Sequence, residues 1–401
     1  MGIIPRLRDW HPEMTAWRRE LHAHPQTAFE ETFAADFIAS RLESWGIETH
    51  RGLARTGVVG TIRGRDAAPG QPPRRIGLRA DIDALDITEQ NDVPYRSQNA
   101  GKMHACGHDG HTTMLLGAAR YLAETRNFTG TVHVIFQPAE ENEGGGRVMV
   151  EEGLFDQFPC DAVFGMHNWP GLDVGRFAVC PGPIMAAFDV FEIRIRGRGC
   201  HAAMPHLGID PVTAAAQVVT ALQTIASRNV DPLKQVVVTI TQIHGGDTWN
   251  VIPNEVVLRG TARTFASDVQ DQVEARMRAI VAGVTTALEC SAVVDYQRRY
   301  PATINTSDET SQCVAAAASV VGPSHVDAQV TPNMGSEDFA FMLQQRPGCY
   351  ILAGNGPSTG ERLLHNPRYD FNDDLLPVGA SYWVTVAENY SFKSERVTRT
   401  K

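Results

Sequence analysis

The stretch Thr131-Val-His-Val-Ile-Phe-Gln-Pro-Ala-Glu-Glu141 decides how the chain folds. Residues 131–136 are dominated by β-branched and aromatic side chains, the run stops at Gln137-Pro138, and two carboxylates follow. A strand that ends this way puts acid groups where open α/β sheets gather their sites, outside the carboxyl ends of the strands. Working outward, residues 112–125 carry a helical pattern, and 161–166 form another short β-rich run. Upstream, 58–62 and 75–78 read as strands, the second running into Ala80-Asp-Ile-Asp83. Met14, Trp17 and Leu21 recur at helical spacing before Pro25, and a second helix spans about 30–45 with Gly46 as its stop. Strands alternating with helices imply an α/β fold whose mostly parallel sheet is covered on both faces.

The pattern changes at Pro181-Gly-Pro183. Residues 191–196 alternate, as a half-wet strand does. A helix is predicted over 210–226, strands over 235–241, 255–262 and 291–296, and a helix over 268–288. This describes a small α+β block with helices on one side of an antiparallel sheet. Residues 184–296 are therefore read as a domain inserted into a larger catalytic domain made of 1–183 and 297–401. The 401-residue length suits two cores better than one.

Acidic residues outnumber basic ones by 46 to 36, which argues against general nucleic-acid binding. No apolar run approaches the roughly 18 residues of a membrane helix. The opening Met1-Gly-Ile-Ile-Pro-Arg-Leu-Arg lacks the apolar core of a signal peptide. Seven scattered cysteines do not form a disulfide framework, so a cytoplasmic, reducing location is expected.

The densest chemistry is Met103-His-Ala-Cys-Gly-His-Asp-Gly-His111. Cys106 and His108 flank one glycine, so in an extended or turning backbone both side chains point the same way. Thiolate and imidazole suit Zn, Ni, Co or Mn; the plainer reading is a polar loop with capping residues. Glu140 and Glu141 could divide the work of ligand and proton shuttle, although Glu-Glu alone reads as a solvated acidic loop. His167 follows a β-rich run, and His365 lies in Leu363-Leu-His-Asn-Pro. Asp83 suits either an orienter of a ligand histidine or a strand-end turn, and Asp109 either that or a helix cap. His22 and His24 read as structural residues at a helix end, and His104 and His111 as non-ligands. Ser336 lacks the nucleophile-elbow pattern.

Taken in order, His104-Ala-Cys-Gly-His-Asp-Gly-His111, Gln137-Pro-Ala-Glu-Glu141, Gly165-Met-His167, Gly197-Arg-Gly-Cys-His-Ala-Ala-Met-Pro-His206, Asn250-Val-Ile-Pro253, Gly335-Ser-Glu-Asp-Phe339 and His365-Asn-Pro carry a likeness that covers nearly the whole chain. The sequence resembles the dinuclear-metal aminoacylase and carboxypeptidase family. Within it, the likeness is to the amidohydrolase branch of hippurate hydrolases, auxin-conjugate hydrolases and N-acetyl-diaminopimelate deacetylases. The resemblance implies two divalent metal ions, with Cys106, His108, Glu141, His167 and His365 as ligands. Cys106 stands where other branches use a bridging carboxylate. It implies Glu140 as general base and His201 as a lid histidine that reaches a partner's site in a dimer and stabilises the oxyanion. Asn250 and Arg263 match lid positions that hold the substrate's carboxylate or carbonyl. Cys200 stands where a small residue is common and has no assigned role.

The expected activity is metal-dependent hydrolysis of small-molecule N-acyl amino acids, by a homodimer or higher homo-oligomer with no nucleic-acid or membrane partner. A metallo-carboxypeptidase or dipeptidase would use the same centre. A catalytically silent relative would have lost the base or a ligand, and all six positions are filled.

Overall fold

A computed structural model of the protein describes residues 2–67, 74–141, 143–358, 360 and 362–390. The chain divides into two compact units. One contains the residues up to Ile184, Ile304–Thr331 and those from Asp338 onward; the other contains Met185–Thr303 and Pro332–Glu337.

The first unit is built on an eight-stranded, mainly parallel sheet flanked by helices. Its centre is four parallel neighbours in the order Thr131–Gln137, Arg75–Asp81, Ala162–Trp169 and Gly348–Gly354. These strands are buried almost end to end, as expected when both faces of a sheet are covered. Because the four run the same way, their carboxyl ends share one edge. That edge brings together Asp81, the Pro138–Glu141 turn and His167. Antiparallel strands Glu48–Leu53 and Gly57–Arg63 extend one side. The first of these is mostly exposed, so it lacks the apolar alternation that would have marked it in the sequence. Packing of Met14, Leu116, Leu376 and Trp383 against strand residues such as Val134 and Phe164 forms the core.

The helix expected to open near Thr112 opens at His108 and runs to Thr125. Its N-cap is Gly107, with φ +101°. A Cβ there would fall 2.3 Å from Asn168 Oδ1 and 2.6 Å from the Tyr369 hydroxyl. Glycine is thus required both by conformation and by space, and the loop that carries Cys106 is pressed against the end of the strand Ala162–Trp169.

The second unit has an antiparallel sheet in the order Val236–His244, Glu255–Thr264, Ala187–Arg196 and Ser291–Tyr300. The strand Ala187–Arg196 alternates strictly between buried and partly exposed positions. Its inward Ile193 and Ile195 join Leu258, Val218 and Met277, the last two from helices Pro211–Thr224 and Ser267–Ala287. The first of these helices is capped by Asp210, whose carboxylate accepts the Val212 N–H at 2.8 Å. No described helix is long and apolar enough to cross a membrane.

Candidate metal centre and catalytic residues

Cys106, His108 and His167 converge, with potential ligand atoms within 4.8 Å of one another, and all three are buried. Cys106 also belongs to a second such triad, with Glu141 and His365. The thiol is common to both. Cys106 Sγ lies 3.4 Å from His167 Nε2, and His365 Nε2 lies 3.1 Å from Glu141 Oε1. Glu140 lies beside this pair of triads, in a group with His108 and Glu141.

Each histidine is oriented from behind. His108 Nδ1 faces the Asp83 carbonyl at 3.0 Å and its Oδ1 at 3.1 Å. His167 Nδ1 faces the carbonyl of Asn168 at 2.6 Å. Both partners accept only, so each ring carries its proton on Nδ1 and turns an Nε2 lone pair inward. His365 has φ +64°, rare for a residue with a side chain, and its N–H donates to the Ala105 carbonyl at 2.8 Å. That bond ties the more exposed ligand candidate to the neighbour of Cys106.

The electrostatics ask for positive charge. Burial, Glu141, Glu140 and Asp81 push the Cys106 thiol well above its usual range. Burial and the neighbouring His111 push His167 well down. At His108, burial opposes protonation, yet Asp81 and Asp83 raise the imidazole to about 10. A proton on its buried Nε2 would have no hydrogen-bond partner. A thiol, two inward lone pairs and adjoining carboxylates fit divalent cations, which would satisfy the same demand without a proton.

Other buried groups brace the centre. Asp81 accepts His111 Nδ1 at 2.6 Å and Arg79 at 2.8 Å. His111 Nε2 lies 2.7 Å from Asn168 Oδ1 and 3.0 Å from the Asn168 backbone nitrogen, so both of its ring nitrogens face protein partners. His104 is buried, which pushes it down to about 4. Arg79 further bonds Gln137 and Asp338. An arginine and an aspartate inside the otherwise apolar run 76–82 are the signal that could have found this brace. Asp109 lies inside the first turn rather than at the N-cap, where its Oδ1 accepts the Gly110 N–H at 2.9 Å, but it also bonds outside the helix. Its Oδ2 meets His22 Nδ1 at 2.8 Å, and His22 Nε2 meets Glu89 at 3.2 Å. Only His24 bonds a late carbonyl of its helix, that of Glu20. Phe339 is fully buried and packs on Tyr350, a core role.

In the second unit His201 and Asn250 are brought together. Val251 pairs with His201 across a two-stranded ribbon, and the Ala202 N–H donates to the Asn250 carbonyl at 2.9 Å. His201 is exposed, and its Nδ1 accepts the Ala203 N–H at 3.1 Å. The neutral ring therefore holds its proton on Nε2, as a donor. Arg263 lies 4.0 Å over the Phe188 ring and donates to the Ser336 hydroxyl at 2.8 Å, which is the setting the structure gives Ser336.

Residues 77–389 match the model of peptidase family M20/M25/M40. The chain is 36% identical to the hippurate hydrolase of Campylobacter jejuni, over 97% of this chain and 100% of that protein. It is 40% identical to the N-acetyl-L-cysteine deacetylase of Bacillus subtilis, over 94% and 88%. The crystal structure of the Bacillus subtilis YXEP protein, described as a dinuclear metal binding peptidase, superposes with a TM-score of 0.82 at 34% identity, covering 95% of this chain and 98% of that one.

Proposed function

The chain belongs to peptidase family M20/M25/M40 and is a hydrolase of amide bonds, and from that premise we propose that it cleaves N-acyl amino acids to a carboxylic acid and a free amino acid. The observation that carries the reading is the pair of triads that share the buried Cys106, one enclosed and one reaching the surface at His365, with Glu140 alongside. The relatives that act on hippurate and N-acetylcysteine support the substrate class.

Cys106, His108 and His167 would hold one divalent ion, and Cys106, Glu141 and His365 a second. Ions such as Zn, Mn, Ni or Co supply a water of pKa near 7 and polarise the scissile carbonyl. Glu140 accepts the proton of the attacking water as the bond to the acyl carbon forms. It returns that proton to the leaving nitrogen as the carbon–nitrogen bond breaks, so the two products leave with no net proton change at the enzyme. His201 donates from Nε2 to the oxygen that gains negative charge. Arg263, its guanidinium placed by Phe188 and Ser336, pairs with the substrate's carboxylate, and Asn250 holds its carbonyl. The second unit serves as lid and as the contact between two copies. Its exposed apolar Leu207, Ile243, Trp249 and Val251 support that role. A reducing cytoplasm keeps the Cys106 thiol available.

The test is amino-acid release from N-acetyl, N-benzoyl and longer N-acyl amino acids and from dipeptides, by metal-stripped enzyme and after addition of Mn, Zn, Co or Ni. Metal-restored hydrolysis of acyl amino acids is expected. Release from dipeptides alone would replace the proposal with a dipeptidase, and no release from any substrate would refute it.

A further inference from the structure

Glu31 sits at the N-cap position of the helix Thr32–Ser44, where a carboxylate ordinarily accepts an N–H of the first turn. Its side chain caps nothing there. It is fully buried, and among the described residues it forms no salt bridge. A buried carboxylate without a cation is costly, so its hydrogen bonds must account for it.

Those bonds converge on the turn that carries Glu140. Glu31 Oε1 accepts the N–H of Ala139 at 3.0 Å and that of Phe29 at 3.0 Å, while Oε2 accepts the Thr56 hydroxyl at 2.6 Å. Ala139 has φ +53°, in the left-handed region that residues with a Cβ avoid. Its carbonyl is held from the other side by the Gly145 N–H at 2.9 Å. Two residues on, the Glu141 N–H is held by Asp83 at 2.9 Å. Ala139, the strained residue immediately before Glu140, is thus clamped at both its N–H and its C=O, and the N–H clamp comes from a residue 108 positions away. Released, Ala139 would relax to negative φ and re-aim the next side chain.

We propose that Glu31 is a positioning residue for the reaction: its carboxylate holds Ala139 in the left-handed conformation that aims Glu140 at the attacking water. This rests on the reading of Glu140 as the base. Glu31 is fully buried with its oxygens turned to Ala139, Phe29 and Thr56, so its loss should act on kcat and leave KM and metal content in place.

The test compares Glu31→Ala, Glu31→Gln, Glu31→Ala with Ala139→Gly, and Glu140→Gln, using the acyl-amino-acid substrate the enzyme turns over fastest. Glu31→Ala should lower kcat by about 10- to 100-fold, the scale of a misplaced catalytic group, with KM and bound metal unchanged. Glu31→Gln retains an acceptor for Ala139 and should stay within a few-fold of wild type. Glycine at 139 adopts positive φ without strain and should restore part of the lost kcat. Wild-type kcat in folded Glu31→Ala, with Glu140→Gln inactive, would overturn the positioning role alone. Full activity of Glu140→Gln would instead overturn the reading of the base. Should Glu31→Ala not fold, Glu31→Asp carries the test. Its carboxylate is one methylene short of Ala139, and an unchanged kcat there would equally remove Glu31 from the mechanism.

Discussion

Asp83 grips His108 through one carboxylate oxygen, at 3.1 Å from Nδ1, while its other oxygen accepts the backbone N–H of Glu141 at 2.9 Å. One side chain therefore sets the orientation of members of both triads. Replacing Asp83 by Asn puts an N–H₂ group against one of two donors. Metal affinity should fall about 10- to 100-fold, the usual effect of losing an orienting carboxylate. Competition with a chelator of known affinity measures it, and an unchanged dissociation constant would remove Asp83 from that role.

Cys106 is common to two triads, whereas His365 belongs to one. Cys106→Ala should therefore deplete both ions, and His365→Ala mainly one. Elemental analysis after gel filtration reads the stoichiometry directly. Equal metal content in the two variants would contradict a shared sulfur ligand.

His201 belongs to neither triad and presents a donor nitrogen on an exposed ribbon. His201→Ala should lower kcat by about 100-fold, the scale of one lost oxyanion donor, while bound metal stays at the wild-type level. Steady-state kinetics beside metal analysis separates the two quantities. A wild-type rate would exclude the residue from the chemistry.

His22 bears on stability rather than rate. Both of its ring nitrogens face carboxylates, Asp109 and Glu89, which forces the doubly protonated form. Burial and Arg18 oppose the charge; Asp109 and Glu89 prevail and lift the imidazole to about 9, with Tyr95 and His104 completing its surroundings. The folded value exceeds the unfolded value of about 6.5, so the contribution is whole below pH 6.5 and is lost as pH rises through about 9. The full loss is on the order of 3 kcal/mol. Urea midpoints for wild type should fall across that window, and those of His22→Gln should fall less. Parallel curves would show that His22 does not titrate there.

The layout of the first unit was legible because buried parallel strands leave dense apolar runs. Of the candidate ligands, Glu141 closely follows one such run and His167 lies at the end of another, while Cys106 and His108 stood out by the density of histidine and cysteine around them. The braces could not. Glu31 acts 108 residues away, and Arg79 meets Asp338 across 259 positions, distances at which no local pattern survives. Asp109 reads as a cap and His22 as a helix-end residue because each is locally suited to that role. Only the approach of two distant helices pairs them with each other. The strand Glu48–Leu53 was hidden by its own exposure.

Water reaches the two triads unequally. Cys106, His108 and His167 are enclosed, while the His365 side chain is 52% exposed. Dissociation of an ion requires a competitor to displace ligands one at a time, and only one triad offers a ligand that can swing away into solvent. The centre should therefore empty in sequence under a chelator, with a fast phase from the His365 side and a slow phase from the enclosed side. Stopped-flow capture by a chromogenic chelator would resolve two rates. A single rate would mean that the ions exchange as one, whatever the difference in their surroundings.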